Sequence, residues 1–270
     1  VAWNRIHSFR DAIDTRNPYP VRDIDFCHND VSECQDDGIE LDYSEHNVRA
    51  YENRVTNCGM GISFQPSRGG PNYAVRNVIV NISVESFKLH LTPTNRDAPD
   101  WKAGPHRTSG GVLLHNTVVT SSAPLRVWSN EGPAHHFVAI NNLLVGTKSA
   151  IAIELTPPMR YALFDYNLYA VGGMKTFARW NEKAYPTIEA FREATGLEKH
   201  ELVAQDPAAV LAEGFKLPAE YKTAYPSDQA VPLLRAGSPA GDAAAVLPTI
   251  NEGHEGQGPD IGALELGKPA

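Results

Sequence analysis

The sequence has little sulfur, no long apolar run and no excess of positive charge. Its 270 residues include three cysteines and three methionines, and the formal net charge is -8 at pH 7. Three cysteines are too few for a disulfide framework, and no run approaches the ~18 apolar residues of a membrane span. The negative balance argues against a chain that binds nucleic acid or anionic lipid over a broad surface. No secretory signal peptide is visible.

Asparagine recurs at a nearly fixed interval along the first two thirds of the chain. Successive members of the series are 25, 24, 24, 39, 26 and 25 residues apart. The series is Asn4, Asn29, Asn53, Asn77, Asn116, Asn142 and Asn167. A period of ~20 to 50 residues is typical of repeat proteins, in which each unit buries its apolar side only against its neighbours. The 39-residue interval marks one insertion, at residues 91–110.

Short strands rather than helices fill each repeat. Two residues after each asparagine the side chain is apolar or aromatic, as in Val31, Val55 and Ile79. Helical repeats would need runs of ~10 to 15 residues with a 3.6-residue period, which are missing. The sequence therefore predicts an all-β parallel β-helix with three strands in each rung, or turn of the coil, of about 24 residues. We expect the asparagines to adopt a left-handed backbone at a bend and to hydrogen bond to one another as a ladder.

The pattern changes near residue 170. We predict rungs over residues 1–170 and, over residues 171–270, a tail that folds back and caps the C-terminal end of the coil. A short helix is expected at residues 187–195, with Thr187 as its N-cap and Gly196 as its C-cap. The chain begins in mid-rung, so we expect it to be part of a longer protein.

Outward residues of the third strand of each rung carry the candidate chemistry. They alternate with apolar pairs such as Ile39 and Leu41, which we expect to point inward. One outward column, in chain order, is Asp14, Glu40, Ser63, Lys88, Arg126 and Ala152. The next is Arg16, Asp42, Gln65, His90, Trp128 and Glu154. The preceding turns add Asp11, Asp36 and Asp37, and the insertion adds Trp101 and Arg107.

Stacked carboxylates on this face should not all be charged and unpaired. Asp14 and Glu40 would lie one rung apart, at ~4.8 Å, where two unit charges repel by ~3.5 kcal/mol at an effective dielectric constant of ~20. A shared proton, a bound cation or splayed side chains would relieve this repulsion. A cation would be Ca²⁺, which oxygen atoms of Asp36, Asp37, Glu40 and Asp42 could hold. No cofactor is otherwise required.

The ladder, the three-strand rung and the segment from Gly258 to Glu265 resemble bacterial right-handed parallel β-helix proteins of the pectate-lyase-like superfamily. That resemblance implies a right-handed coil in an extracellular or periplasmic protein. The superfamily contains lyases, hydrolases, epimerases and non-catalytic spikes. Within it, polygalacturonase-type hydrolases carry an aspartate, an Asp-Asp pair, Gly-His-Gly and Arg-Ile-Lys on successive rungs. Here the same order is Asp11-Ala12-Ile13-Asp14, Asp36-Asp37, Gly59-Met60-Gly61 and Phe87-Lys88-Leu89-His90, with methionine in place of histidine.

Hydrolysis of a polysaccharide or oligosaccharide is the first function hypothesis. Asp36, Asp37 and Glu40 would supply the paired carboxyl groups, with Asp37 or Glu40 as the acid, and either stereochemical outcome is open. Lys88 and His90 would complete the catalytic set. Substrate contacts would come from seven side chains around it: Asp14, Asp42, Gln65, Arg126, Trp128, Trp101 and Arg107.

Two further hypotheses stay open. In a uronic polysaccharide lyase or C5 epimerase, Arg126 would lower the pKa of Lys88 so that the lysine could act as a base, with His90 as a second base. In a non-catalytic glycan-binding or structural coil, the same columns would be solvated surface. Acids, bases and the one long insertion share a face, which favours an enzyme.

Overall fold

The computed structural model describes residues 1–15, 21–89, 108–128, 134–156, 158–216, 218, 223–226 and 231–268. The described chain winds into a parallel β-solenoid with three strands in each rung, as the asparagine interval predicts. We name its sheets by the place of their strands in the rung. No helix in the described ranges is long and apolar enough to cross a membrane.

The first-strand sheet and the second-strand sheet run along the coil. The first contains β2 (Val21–Cys27), β5 (Ser44–Tyr51), β8 (Arg68–Val75), β11 (Thr108–Leu114), β14 (Ala134–His135) and β18 (Met159–Arg160), with β15 (Val138–Ile140) and β19 (Leu163–Asp165) continuing from β11. The second contains β1 (Arg5–His7), β3 (Asp30–Ser32), β6 (Arg54–Thr56), β9 (Val78–Val80), β12 (Thr117–Thr120), β16 (Leu143–Gly146), β20 (Leu168–Val171) and β23 (Leu202–Ala204).

The third strands form two separate sheets. One contains β4 (Asp37–Glu40), β7 (Met60–Ser63) and β10 (Glu85–Lys88), and the other contains β13 (Leu125–Val127), β17 (Ile151–Leu155), β21 (Thr176–Trp180) and the antiparallel β22 (Lys183–Tyr185). In the part of the chain that the structure describes, no backbone ladder joins β10 to β13, although the two strands are neighbours. The break coincides with the 39-residue interval of the asparagine series.

The asparagine ladder is present over its whole predicted length. Each side-chain amide donates from Nδ2 to Oδ1 of the asparagine in the next rung, at 2.9 to 3.0 Å from Asn4 to Asn167. The left-handed backbone was assigned to the wrong residue, however. Positive φ falls on the residue just before each asparagine, as at His28 (53°) and Glu52 (53°). Because the amide must point into the coil to reach the next rung, the chain reverses one residue earlier.

The hydrophobic core fills the interior of the coil, between the three strands of each rung. The column two residues after the asparagines is in register from Val31 through Val55, Ile79, Val118 and Leu144 to Tyr169, and all six side chains are buried. Ile39, Ile62 and Phe87 form the matching column of the third strands. In β17 the predicted register was wrong by two residues: Leu125 pairs with Ile153, and Arg126 therefore pairs with Glu154 rather than Ala152.

Stacking continues past the predicted boundary at residue 170. Strand β21 pairs with β17 and β23 pairs with β20, so a further rung forms before the irregular tail begins. Helix α1 (Ile188–Thr195) has the predicted caps: Thr187 accepts from the Ala190 amide, and Gly196 is left-handed at φ 72°. The helix buries Phe191 against Phe177 and Trp180 of the coil.

The tail lies along the side of the coil rather than over its end. Its buried residues Leu211, Leu234 and Ile261 pack on the outward face of β12, β16 and β20, where Val119 and Val145 lie. The Ala263 amide donates to Thr117 Oγ1, and the Gly262 amide donates to the Asn141 carbonyl. Strands that are apolar on both faces need a cover on each, which explains this placement.

Candidate active site

Three carboxyl groups meet where the third-strand face begins. Asp37 opens β4, Glu40 ends it, and Asp11 lies in the turn one rung below. One carboxyl oxygen of each lies within 4.8 Å of the other two. Asp37 and Glu40 are buried, whereas Asp11 and its neighbour Asp14 keep contact with solvent. The cluster therefore opens toward the rung that carries Asp11 and Asp14.

A lysine supplies the nearest positive charge. The third-strand register aligns Glu40 with Ser63 and Ser63 with Lys88, which confirms this part of the predicted column. The Lys88 side chain does not point out to solvent but runs along the face until Nζ is 2.6 Å from Asp37 Oδ2. Burial works against the charge on Lys88, yet the carboxylates of Asp37 and Asp42 outweigh it and raise the pKa of the lysine.

Glu40 is the carboxyl group most strongly disposed to keep its proton. Burial, the charge of Asp42 and hydrogen bonds with Asp14 and Asp37 raise the pKa of Glu40 to about 11. Burial also raises the pKa of Asp37, against the opposing charge of Lys88. Among the described residues, Asp37 Oδ1 and Glu40 Oε2 are buried without a hydrogen-bond partner. A proton on Glu40 relieves the carboxylate repulsion that the sequence predicts.

Asp42 serves the turn that follows β4. Its Oδ1 accepts from Ser63 Oγ at 2.6 Å and from the Gln65 amide at 2.7 Å, and its carbonyl accepts from Thr15 Oγ1 at 2.7 Å. Burial raises the pKa of Asp42 to about 7, although Lys88 opposes the shift. Asp42 and Gln65 were both predicted to bind substrate; the Asp42 carboxylate and the Gln65 backbone amide are hydrogen bonded to each other and hold the chain beside the cluster.

Glu85 is a buried carboxyl group that the sequence interpretation missed. Its Oε1 accepts from the Trp128 amide at 2.8 Å, and burial raises its pKa to about 7. Glu85 aligns with Met60, and Met60 aligns with Asp37, so the 25-residue spacing could have placed it in the same row. Through this bond Glu85 connects the two third-strand sheets where no ladder joins them.

Arg126 and Trp128 pair with each other beyond the break. The guanidinium lies 3.8 Å from the centre of the Trp128 ring and donates to the carbonyls of Val84 and Ser83. Trp128 keeps an exposed ring surface. The elimination hypothesis requires Arg126 to lower the pKa of Lys88. The pKa of Lys88 is instead raised, because the charges of Asp37 and Asp42 act on it. Lys88 is therefore charged at neutral pH and is a poor proton acceptor.

The remaining predicted residues divide into two groups. Asp36 is not a member of the cluster and forms an ion pair at 3.2 Å with Arg10, which also lies 3.9 Å from Asp11. His90, Trp101 and Arg107, like Arg16, lie outside the described residues.

Two of the four predicted calcium ligands, Asp37 and Glu40, belong to the carboxylate cluster. The three-carboxylate cluster contains Asp11 but neither Asp36 nor Asp42. Asp42 Oδ1 already accepts two hydrogen bonds, and burial and neighbouring carboxylates raise the pKa of Glu40. The ammonium group of Lys88 also supplies the charge that Asp37 would otherwise take from an ion. Tight Ca²⁺ binding needs several ionised oxygen ligands, and calcium binding at this cluster stays a prediction.

Comparison of the chain with protein-family models, with curated proteins and with solved structures finds no match.

Proposed function

We propose that the chain is a carbohydrate-active enzyme that hydrolyses glycosidic bonds with retention of anomeric configuration. The observation that carries the proposal is the buried carboxyl group of Glu40, whose surroundings raise its pKa, within 4.8 Å of the more exposed carboxyl group of Asp11. Glycosidases need one carboxyl group that gives a proton to the leaving oxygen and a second that meets the sugar ring. Membership of the pectate-lyase-like superfamily is part of the same proposal and depends on the coil and its ladder.

Glu40 is the general acid. An acid that works at neutral pH must keep its proton there, which a glutamic acid in water does not do. Burial and neighbouring carboxylates raise the pKa of Glu40 far enough for this purpose. Proton transfer to the glycosidic oxygen leaves a carboxylate that Lys88 helps to stabilise, because its ammonium group is held nearby by Asp37.

Asp11 is the nucleophile, since it is the member of the cluster that reaches solvent without a lysine partner. Its carboxyl oxygen is within 4.8 Å of one on Glu40. Retaining glycosidases separate their two carboxyl groups by ~5 to 5.5 Å, whereas inverting ones need ~6.5 to 9.5 Å to admit a water molecule. Asp11 would form the glycosyl ester, and Glu40 would then take a proton from the attacking water.

Asp37 and Lys88 are positioning residues. Asp37 is fully buried, so it does not meet the sugar, but it accepts from Lys88 and hydrogen bonds with Glu40. In the described chain, the cations beside the cluster are already paired: Lys88 with Asp37, and Arg10 with Asp36 at 3.2 Å and with Asp11 at 3.9 Å. Excess carboxylate and occupied cations disfavour a polyuronate, so a neutral glycan is the expected substrate.

The test is release of reducing ends from a panel of neutral and uronic polysaccharides by the purified chain. Glu40→Gln and Asp11→Asn should each lower kcat at least ~100-fold, because each removes one of the two groups that the mechanism needs. Asp25→Asn, on the first-strand sheet and paired with Arg49, is the matched control and should leave the rate unchanged. Proton NMR of the first product should give the anomer of the substrate.

Three results would reject parts of the proposal. An active Glu40→Gln variant would remove the acid assignment, and an inverted first product would remove Asp11 as nucleophile. A new ultraviolet band from an unsaturated sugar would instead establish elimination. If no polysaccharide is cleaved, a binding or structural role for the coil takes the place of an enzyme.

A further inference from the structure

A second cleft lies on another side of the coil, between the second-strand sheet and the tail. It has a volume of about 710 Å³, within the ~300 to 1,000 Å³ range of small-ligand sites. Among the described residues, the apolar contacts of the tail with this end of the sheet lie on β9, so the outward residues of β3 and β6 form one wall of the cleft and residues 263–265 form the other. None of its lining residues belongs to the carboxylate cluster of the third-strand face.

Trp3 presents an aromatic ring at this cleft. One face of the indole stacks on His28, with ring centroids 4.2 Å apart and planes 14° from parallel. The ring is nevertheless among the most exposed large side chains described, at 78%. His28 is itself held by Glu52, with Nε2 3.2 Å from Oε2. One face of the indole is therefore covered by His28, and the other face is open to solvent.

The charges that line the cleft compensate one another. Arg54 binds Asp30 through two hydrogen bonds of 3.0 and 2.6 Å, and Arg76 lies 3.7 Å from Glu265 across the cleft. The Arg76 guanidinium also donates to the Ala263 carbonyl, which fixes the opposite wall. A site with paired charges favours neither a phosphate nor a cation, since either ligand would have to break an existing pair.

One buried polar atom on the far wall lacks a hydrogen bond. Glu265 is 9% exposed, and its Oε1 has no hydrogen-bond partner among the described residues, because the Arg76 contact of 3.7 Å is an ion pair only. A carboxylate oxygen in this state accepts readily from a ligand hydroxyl group. The opposite side of the cleft offers the carboxylate of Asp30 and the guanidinium of Arg54.

We infer that this cleft is a binding site for a neutral oligosaccharide chain, with one sugar ring stacked on the open face of Trp3. A pyranose ring has an apolar C–H face that packs on an indole and an edge of hydroxyl groups that both donate and accept. Planar carboxylate and guanidinium groups fixed in pairs suit such an edge. The inference does not depend on the proposed hydrolysis, because the residues and the face of the coil are different.

Titration of the ¹⁵N-labelled chain with cellohexaose, xylohexaose, mannohexaose and hexagalacturonate tests this site. The Glu40→Gln variant is used throughout, so that no probe is cleaved. At least one neutral hexasaccharide should shift the Trp3 indole N–H signal and the Arg54 amide signal with one saturable curve. Trp3→Ala should weaken that binding at least tenfold, while Trp3→Phe should retain most of it.

Tyr161 provides a matched control for non-specific stacking. It is 73% exposed and stacks on His136 with ring centroids 5.0 Å apart and planes 14° from parallel, far from the cleft. Tyr161→Ala should leave the affinity unchanged. The inference is overturned if no neutral hexasaccharide shifts the Trp3 signal, if hexagalacturonate binds more tightly than every neutral probe, or if Tyr161→Ala weakens binding as much as Trp3→Ala.

Discussion

Lys88 lies two rungs above Asp37, yet its ammonium nitrogen is 2.6 Å from the carboxylate of that residue. Ser63 occupies the position in between, aligned with both Glu40 and Lys88, and its small side chain leaves room for the lysine to extend along the face. Both partners are buried, so the pair links three rungs in a region of low dielectric constant. Glu40 lies beside this buried pair and therefore differs from an ordinary solvated acid.

Removal of the ammonium group should destabilise the fold. Lys88→Met keeps the aliphatic stem but leaves a buried carboxylate uncompensated, and such a loss costs ~3 to 5 kcal/mol. Urea unfolding at pH 8 measures the change. Adding Asp37→Asn to the Lys88→Met variant should recover most of the loss, because the unpaired charge is then gone.

An exposed ion pair gives the comparison for Lys88. Arg49 and Asp25 lie 2.6 Å apart with both side chains partly in water, and such pairs contribute only ~0 to 1 kcal/mol. Arg49→Met should therefore cost less than Lys88→Met. Equal losses in the two variants would mean that burial of the Lys88 pair has no energetic consequence.

At neutral and alkaline pH, the buried catalytic acid Glu40 should lower the free energy of unfolding. Because its pKa is about 11 in the folded chain and 4.5 in the unfolded chain, its contribution is fully present below pH 4.5 and is lost as pH rises toward 11. Glu40→Gln keeps the shape without the titration. At pH 8 the variant should gain about 4 kcal/mol relative to its difference from the parent at pH 4.5, or roughly 8 to 16 °C in Tm.

Differential scanning calorimetry at the two pH values checks this expectation. The gain in stability should accompany loss of glycan cleavage, as expected where a strained acid is kept for its chemistry. An unchanged Tm difference between pH 4.5 and pH 8 would show that Glu40 titrates normally in the folded chain.

The asparagine ladder should contribute more than any exposed amide. Asn77 accepts from the amide and the side chain of Asn53 at 3.1 and 3.0 Å, and it donates to Asn116 and to the Ala50 carbonyl. Asn77→Ala removes the acceptor of two Asn53 donors and the donor to the Ala50 carbonyl, whereas Asn116 Oδ1 keeps the backbone amide of residue 77, so about 3 kcal/mol of unfolding free energy should be lost. Asn47→Gly, which removes an exposed bond to Asp23 at a left-handed position (φ 54°) that glycine accepts without strain, should cost under about 1 kcal/mol. A smaller loss at Asn77 than at Asn47 in guanidinium titrations would contradict this role.

Repeat spacing predicted the coil because each rung presents the same local pattern. Counting from the asparagines placed Glu40, Ser63 and Lys88 in one column, and the backbone pairing of β4, β7 and β10 confirms this column. Counting failed beyond the 39-residue interval, where no ladder carries the register from β10 to β13 and Arg126 pairs with Glu154. A column can be counted only while the backbone pairing is continuous.

Repeat spacing could predict neither the direction of a side chain nor the place where the tail packs. Spacing gives the row of Asp37 and Lys88 but not the diagonal contact between them, which depends on burial and charge. The tail was expected at the end of the coil, although Val119 and Val145 made the outward face of the second strands apolar and indicated a cover there. Both errors concern contacts between distant parts of the chain.

Acid should loosen the tail through His115. This buried imidazole donates from Nδ1 to the Gly262 carbonyl, and its Nε2 lies 2.8 Å from the side-chain amide of Asn251, so it is neutral in the folded chain. Burial and the charge of Arg76 lower the pKa of His115 to about 4 from 6.5. Unfolding therefore takes up a proton between these values, and stability is fully present above pH 6.5 and is lost as pH falls to 4.

The loss attributable to His115 is about 3 kcal/mol across this range. Urea unfolding of the parent chain and of His115→Gln at several pH values isolates it, because the difference between the two curves removes groups such as Glu198, whose raised pKa of about 8 acts in the opposite direction. The difference should shrink as pH falls from 6.5 to 4. His7→Gln, at an exposed position of β1, is the matched control for a histidine-to-glutamine change. A flat difference for His115→Gln would show that its imidazole is not held neutral by the tail.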